Sequence, residues 1–489
     1  MPSSFTEPSI LSYSSPNNLL SCSGYSCESS FGMDSPRDFL PGPSHLLSTD
    51  GQLNLGSTPD PSNDPGPVLY QIPSSTPVIR RIASYRHHLP SAAPKRGNIG
   101  AREMGTYLAI ELNKHKPTQI VDLPNVVFPD SCLPFPVNEE LLRKLKGIWS
   151  PRKKMLVPPA AATESAIQEW FNTIAKRISS SNKTKVKRFW SANFCNTVIP
   201  HSELQRKPDV ILIKNALAPL DWRSVHAVTE VTSRTRVHAD MMKTINNKTY
   251  LMFSTQHSRR FVPFLAVCGS KVFFFVTDRE GQTFSEICYE QPGEYHALNL
   301  IRIIVALAFG DDEIIGLDPT MSISPDGVVK TISGGNKVYA IKSAIHIVRG
   351  IVGRSTRVWS AYDDCDKKLC IIKDGWIQEG RADAEKTHLE SLKGIEGVPT
   401  LLWGGTVQIC DHKNRDKFRD DNTAWIRHGF SDKSVYRIHR RLVLSPVGQN
   451  LATFTSLGEL VGALRDVAVG MSMTFFTIHC MLMVFHNST

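Results

Sequence analysis

The fold of the C-terminal half is decided by a stretch that begins Gly350-Ile-Val-Gly353-Arg-Ser-Thr-Arg-Val358-Trp359-Ser-Ala-Tyr362 and continues, after an acidic turn, with Leu369-Cys-Ile-Ile-Lys373. Runs rich in β-branched and aromatic residues, bounded by turn residues, predict β-strands. A further apolar run at residues 338–347 precedes the glycine-containing loop. The stretch therefore predicts three consecutive strands, with a glycine loop between the first two and a lysine at the end of the third.

Downstream of these strands the periodicity changes. Residues 384–392 have the apolar spacing of a helix, and residues 398–403 and 436–444 predict two more strands. The order strand, strand, strand, helix, strand, strand is that of the N-terminal lobe of a protein kinase. In such a lobe a loop glycine lets the backbone approach the phosphates, a strand lysine pairs with the α- and β-phosphates, and a helix glutamate holds the lysine.

We assign these three roles to Gly353, Lys373 and Glu385, with Glu390 as the alternative partner of the lysine. Each residue alone is weak evidence, because a glycine between strands is usually a turn residue and a lysine at a strand end is often only solvated. The assignment therefore rests on the order of the three residues along the chain.

Several blocks resemble the fungal-type protein kinase family: Gly353-Arg-Ser-Thr-Arg-Val-Trp359, Lys373-Asp-Gly-Trp376, Gly397-Val-Pro399 and, most distinctively, His439-Arg-Arg-Leu-Val-Leu-Ser-Pro-Val-Gly448 followed by residues 454–466. The preceding region resembles the N-terminal region of that family at Lys207-Pro-Asp209, Trp222, Glu230 and Leu317-Asp-Pro319. The resemblance covers residues 135–466 and implies ATP-dependent phosphorylation of Ser/Thr hydroxyls in full-length members. The ATP-binding residues that it implies are Gly353, Val358, Lys373, Glu385, Leu444, Ser445 and Val447, with residues 445–448 as the hinge at the adenine.

The motifs that carry out phosphoryl transfer are absent from the sequence, which contains no His-Arg-Asp, Asp-Phe-Gly or Ala-Pro-Glu. The segment His439-Arg440-Arg441 lacks the aspartate that accepts the substrate proton and the asparagine that holds magnesium. Ile351 and Thr356 stand where many kinases have the outer glycines of the loop, which predicts weaker phosphate contact. We therefore expect a truncated kinase, inactive as written, with ATP as a weakly bound cofactor and no catalytic or metal-binding residue; whether the chain is an enzyme stays open.

The domain organisation expected from composition is α+β. Residues 1–100, rich in Ser and Pro, predict a disordered leader. Residues 101–320 predict a helical lead-in and a mixed α/β sheet domain, and residues 330–466 the kinase-like lobe with the start of a second lobe. Residues 467–489 form a Met- and Phe-rich tail without family character, which we interpret as read-through intron sequence in preference to a membrane anchor. An apolar underside left by truncation predicts a protein partner that covers it.

The predicted sheet domain contains a second candidate site. Its layout resembles the restriction-endonuclease-like fold, in which an Asp and a Glu on adjacent strands hold a metal and a Lys two residues after the Glu positions the attacking water. Asp209 and Glu230 match the carboxylates, but Thr232 stands at the lysine position. Nuclease activity is therefore not expected, and the simpler interpretation is that both carboxylates lie at strand ends.

The net charge of +10 is modest for 489 residues and gives weak evidence for nucleic-acid binding. Basic clusters at residues 143–154 and 176–188 predict either a nucleic-acid face or, as we prefer, solvated helix faces. The ten cysteines lack zinc-site spacing and are expected to be free thiols. No secretory signal is visible, which favours the cytoplasm or nucleus. The alternatives left open are a non-catalytic scaffold and a nuclease-derived nucleic-acid-binding module.

Overall fold

Two seven-stranded sheets, two small two-stranded sheets and the helices packed on them make up the part of the chain that the structure describes. The structure is a computed structural model and describes residues 101–113, 117–200, 204–215, 220–411, 414, 416–427, 436–449 and 453–469, all within one compact unit. The predicted α+β class is confirmed. The predicted leader, and the tail after residue 469, lie outside the described residues.

The first sheet is built from the first half of the described chain. In chain order the elements are α1 (Ala101–Asn113), β1 (Thr118–Gln119), α2 (Leu123–Val127), α3 (Glu139–Lys144), β2 (Trp149–Ser150), β3 (Met155–Leu156), α4 (Glu164–Asn182), β4 (Phe189–Ser191), β5 (Val210–Ile213), β6 (Ala227–Thr232), α5 (Ala239–Thr255), β7 (Val262–Cys268), β8 (Lys271–Asp278), β9 (Gly281–Cys288) and α6 (Glu294–Phe309). The strand order is β1-β9-β8-β7-β6-β5-β4. Strands β5 and β6 are antiparallel, and helix α5 crosses over to bring β7 parallel to β6.

Alternating side chains of β7 explain why helices cover both faces of this sheet. Phe264 and Ala266 belong to the core under α1 and α5, whereas Leu265 and Val267 belong to the core under α4 and α6. A strand buried on both faces reads as a continuous apolar run, because neither face meets water. The helix starts predicted at two polar residues are also confirmed: the Asn138 side chain accepts from Leu141 N–H and the Thr163 side chain from Ala166 N–H.

The second sheet follows in the chain. The elements of this part of the chain are β10 (Met321–Ile323), β11 (Val329–Gly334), β12 (Lys337–Ile347), β13 (Arg357–Asp363), β14 (Leu369–Gln378), α7 (Ala384–Ser391), β15 (Thr400–Thr406), β16 (Gln408–Cys410), β17 (Phe418–Asp420), α8 (Ala424–Arg427) and β18 (Arg437–Ser445), and residues 457–469 form a last helix, α9. The strand order of the second sheet is β10-β11-β12-β13-β14-β18-β15. Strands β16 and β17 pair only with each other. Elements β12 to β15 and β18 have the predicted order strand, strand, strand, helix, strand, strand. Two features were not predicted: the added edge β10–β11, and the insertion from β16 to α8.

The two faces of the second sheet differ in character. One face carries a small core that includes Trp359, Ile372 and Val443. The turn after β11 packs on Trp403 of β15, at the other edge of the sheet, so the sheet curves around this core. Gly335 makes the approach possible: its φ is +59°, and a Cβ there would lie 2.7 Å from Trp403 Nε1. The other face carries Lys373 and helix α7.

A line of buried ion pairs joins the two sheets, and we call it the interdomain charge chain. In order, its members are Arg260, Asp421, His439, Asp374, Arg441 and Asp318. Arg260 precedes β7 of the first sheet, whereas Asp374 and Arg441 lie on the neighbouring strands β14 and β18. Each member is at least nine-tenths buried, so each charge depends on its partners to offset the loss of water.

The central member of the chain, His439, is positively charged. Its Nε2 lies 2.8 Å from Asp374 Oδ2 and its Nδ1 lies 2.9 Å from Asp421 Oδ2, and its ring stacks on Trp376 at 4.6 Å. Ionised carboxylates only accept hydrogen bonds, so both ring nitrogens must carry protons. Burial by itself lowers the pKa of His439, but the attraction of Asp374 and Asp421 outweighs it and raises the pKa to about 9.

Candidate functional site

The lysine and glutamate that the sequence singles out are in contact. Lys373 on β14 forms an ion pair with Glu385 Oε1 on α7, as predicted, while the alternative Glu390 pairs with Lys386 at 3.8 Å. The side chains of Lys373 and Glu385 are 35% and 45% exposed, so the ammonium group is held by the helix and still reaches solvent. Such a group is available to an anionic ligand.

Apolar residues flank Lys373 on the neighbouring strands. Val358 of β13 and Leu442 of β18 are its direct partners across the sheet, and Leu444 faces Ile371 two residues along β14. Directly paired residues point to the same face of a sheet. Lys373 therefore lies in an apolar strip, which is a surface suited to a flat ring with a charged extension.

The remaining residues that the resemblance implies for adenine contact lie at the end of β18. Ser445 pairs with Thr400 of β15, and Ser445 and Val447 are both partly buried. They follow Leu444 along the chain, at the end of the strip. The structure thus brings Val358, Lys373, Leu444 and Ser445 onto adjoining strands of one sheet.

The loop containing Gly353 does not lie open above this strip. The Gly353 N–H donates to Arg279 O, 2.9 Å away on the first sheet, and Ile351 is fully buried there. The φ of Gly353 is +108°, so the residue type suits the backbone shape. In this arrangement, however, the predicted phosphate-facing N–H is already bonded to protein.

The two carboxylates of the second candidate site lie at adjacent strands. Asp209 immediately precedes β5, and its Oδ2 accepts from Val231 N–H of β6 at 2.8 Å. Glu230, also on β6, forms an ion pair with Lys248 of helix α5, and Glu230 and Lys248 are 6% and 1% exposed. From the sequence we expect no lysine beside the carboxylates, because Thr232 stands at the lysine position of the strand. That expectation is wrong, since Lys248 reaches Glu230 from the crossover helix α5.

Burial governs the electrostatics of this cluster. It raises the pKa of Glu230 to about 7, with Lys248 opposing the rise, and it also raises the pKa of Asp209. Glu164, at the start of α4, adds to the rise at Asp209. The charge of Lys248 therefore acts on both Glu230 and Asp209 and opposes the effect of burial on each.

Sequence reasoning missed Lys248, although a signal was present. On α5 the buried stripe runs Met241, Ile245, Lys248, Met252, with helical spacing. A lysine within an apolar stripe needs a buried carboxylate partner, because an unpaired buried charge is costly. The pattern thus indicated a partner for Lys248, but not which carboxylate it was.

Four residues of the predicted basic clusters are paired with carboxylates. Arg143 and Lys144 each bond a glutamate one turn earlier on α3, and Lys187 and Arg188 bond Asp311 and Asp312. Arg143 and Lys144 are exposed on α3, as expected for a solvated helix face, and the nucleic-acid alternative stays a prediction. Within the described ranges, Cys365 and Cys370 are free thiols, no group of three or more His, Cys, Asp or Glu side chains is arranged to hold a metal, and no helix is long and apolar enough to cross a membrane.

The second sheet, with helix α7 and the Lys373–Glu385 pair, has the element order of the N-terminal lobe of protein kinases. Comparison with protein families is consistent with this resemblance: the model described as "Fungal protein kinase" matches residues 207–476, more than half of the chain. The chain belongs to the fungal protein kinase family. Comparison with curated proteins and with solved structures finds no match.

Proposed function

We propose that the lobe formed by the second sheet binds ATP on the face that carries Lys373. The observation that carries this proposal is the ion pair between Lys373 on β14 and Glu385 on α7. In kinases a lysine held in this way meets the α- and β-phosphates. The flanking residues Val358 and Leu442 offer apolar contacts for the adenine, and residues 445–448, next to Leu444, form the hinge at its edge.

We further propose that this polypeptide binds ATP without transferring its phosphoryl group to a Ser or Thr hydroxyl. The sequence contains no aspartate–asparagine catalytic loop and no Asp-Phe-Gly, so it lacks the groups that hold magnesium and orient the acceptor hydroxyl. Positioning and charge stabilisation account for most of the catalysis of phosphoryl transfer. ATP bound by Lys373 alone would therefore remain intact.

Calorimetric titration with ATP tests the binding proposal. Lys373→Met should weaken binding by about tenfold or more, because a charge-assisted contact contributes roughly 1.5–3 kcal/mol. Lys368→Met is the matched control, since Lys368 lies in the β13–β14 turn with its side chain 82% exposed. Equal affinities for Lys373→Met and the parent chain would refute the proposal. Phosphate transfer to a Ser/Thr peptide, lost in Lys373→Met, would refute the proposed inactivity.

Helix α9 supports a scaffold role for the same chain. Leu457, Val461 and Leu464 follow helical spacing and are 66%, 62% and 51% exposed. An apolar helical stripe of this kind favours a protein partner. A change of Val461 to Glu should abolish partner capture in a pull-down while leaving ATP affinity unchanged; capture that survives this change would count against the role.

A second candidate function, metal-dependent binding or cleavage of nucleic acid, is favoured by Lys248. Lys248 supplies the positive charge that a threonine at position 232 cannot provide. It pairs with Glu230, and its charge also acts on Asp209. Two carboxylates with a lysine match the needs of metal-assisted hydrolysis. DNA cleavage with Mg²⁺ or Mn²⁺, abolished by Asp209→Ala, would support this function. Absence of both cleavage and salt-dependent DNA binding would exclude it.

A further inference from the structure

The loop between β12 and β13, residues 348–356, is attached to the first sheet domain through its backbone; we call it the glycine loop. Three successive N–H groups point away from the second sheet. Those of Ile351 and Val352 both donate to Glu111 Oε1 at 2.8 Å, and that of Gly353 donates to Arg279 O at 2.9 Å. Glu111 lies on α1, some 240 positions earlier in the chain.

Carbonyl groups of the same loop are held as well. The Arg279 guanidinium donates from NH1 to Gly350 O at 2.8 Å and to Ile351 O at 3.2 Å. Arg279 is fully buried and lies over the Phe253 ring at 3.8 Å, so it has little freedom to move. The Ile351 side chain is fully buried in the core between α1 and α5. Side chain and backbone together fix the loop against the first domain.

Glycine at position 350 fits this contact. A Cβ at Gly350 would lie 3.1 Å from Glu111 Oε1, which is tighter than most Cβ contacts in proteins. Glycine here therefore lets the carboxylate approach the backbone, as a loop glycine elsewhere lets a phosphate approach.

Successive backbone N–H groups that converge on one oxygen form an anion site, and phosphate is the usual occupant of such sites. We propose that the Glu111 carboxylate occupies the anion position of the glycine loop and competes with the phosphates of a nucleotide for the same N–H donors. The proposal rests on the proposed ATP binding at Lys373. While the contact lasts, the Ile351, Val352 and Gly353 N–H groups are all committed to protein acceptors, so ATP meets Lys373 without help from the loop.

This arrangement defines two states of one site. In the captured state the loop is bonded to Glu111 and Arg279, and in the released state its N–H groups are free to meet phosphates near Lys373. If the released state is rare, the apparent nucleotide affinity falls in proportion to its population. Any change that removes the Glu111 contact should therefore tighten nucleotide binding.

The test compares the full chain with Glu111→Ala and the isosteric Glu111→Gln, and with Ile351→Ala, which removes the apolar anchor but keeps the carboxylate. Glu139→Ala is the control, because Glu139 is an exposed helix glutamate paired with Arg143. Amide hydrogen exchange at residues 351–353 reports capture. Titrations with ATP and with inorganic tripolyphosphate report anion binding, and tripolyphosphate does so without an adenine site.

We expect faster exchange at residues 351–353 and about tenfold tighter binding of ATP and tripolyphosphate in Glu111→Ala, with a smaller change in Glu111→Gln and none in the control. Ile351→Ala should likewise speed amide exchange at residues 351–353 and tighten the binding of ATP and tripolyphosphate. Unchanged exchange in both Glu111→Ala and Ile351→Ala, or faster exchange without tighter tripolyphosphate binding, would overturn the proposal. Tighter tripolyphosphate binding with no ATP preference would support capture while refuting the proposed ATP site.

Discussion

The stability of the protein should fall at alkaline pH because of His439. The folded pKa of about 9 exceeds the ordinary value of 6.5, so the stabilisation from the proton on His439 is complete below pH 6.5 and disappears as the pH rises through about 9. Between pH 7 and pH 9.5 this one group accounts for a loss of about 2 kcal/mol. Stability is lost because a neutral ring can donate a hydrogen bond to only one of Asp374 and Asp421. The other carboxylate then stays buried without the histidine as its partner.

Equilibrium urea unfolding at several pH values measures this effect. The parent chain should lose about 2 kcal/mol more than His439→Gln between pH 7 and pH 9.5, since thiols and lysines titrate alike in both proteins. His346→Gln, at an exposed position on β12, should behave as the parent chain. An equal pH dependence in the parent chain and His439→Gln, or an NMR titration in which His439 loses its proton near pH 6.5, would show that Asp374 and Asp421 do not stabilise the charged ring.

Three further changes should destabilise the fold by separate mechanisms. Lys248→Met leaves Glu230 buried without a cation and should cost about 3 kcal/mol in urea unfolding, most of which Glu230→Gln should restore in the double variant. Gly316→Ala should cost about 2 kcal/mol or more and lower the Tm in a thermal scan, because φ is +99° and the new Cβ would meet Phe261 O at 2.2 Å. Asn138→Ala removes the side-chain cap of α3 and should cost about 1 kcal/mol in urea unfolding; no loss would show that the cap is dispensable.

Local sequence patterns predict many elements of the fold. Caps at Asn138 and Thr163, the alternation of the strands and the order of Lys373 and Glu385 depend on neighbours within a few residues or on one short connection. Such features are encoded locally, so periodicity and spacing reveal them. The helix that carries Glu385 follows β14 closely, which is why sequence order alone placed the pair.

Long-range contacts could not be predicted in the same way. Glu111 and the glycine loop are brought together by the packing of α1 against the first sheet, and no local pattern connects them. From the sequence, the segment around His439 is interpreted only as an unsuitable catalytic loop. In the structure its alternate residues His439 and Arg441 belong to the interdomain charge chain. Charged residues on a strand indicate burial only once their partners on other elements are known.

Chemical labelling tests directly whether Lys373 contacts the phosphates of bound ATP, as we propose. An acyl-phosphate derivative of ATP transfers its acyl group to a lysine amine that lies beside the phosphates, and mass spectrometry of the digested protein identifies the modified lysine. We expect labelling at Lys373 that exceeds labelling at the exposed Lys368 and is suppressed by excess ATP. Labelling of Lys373 no greater than that of Lys368, and insensitive to ATP, would contradict the proposed contact.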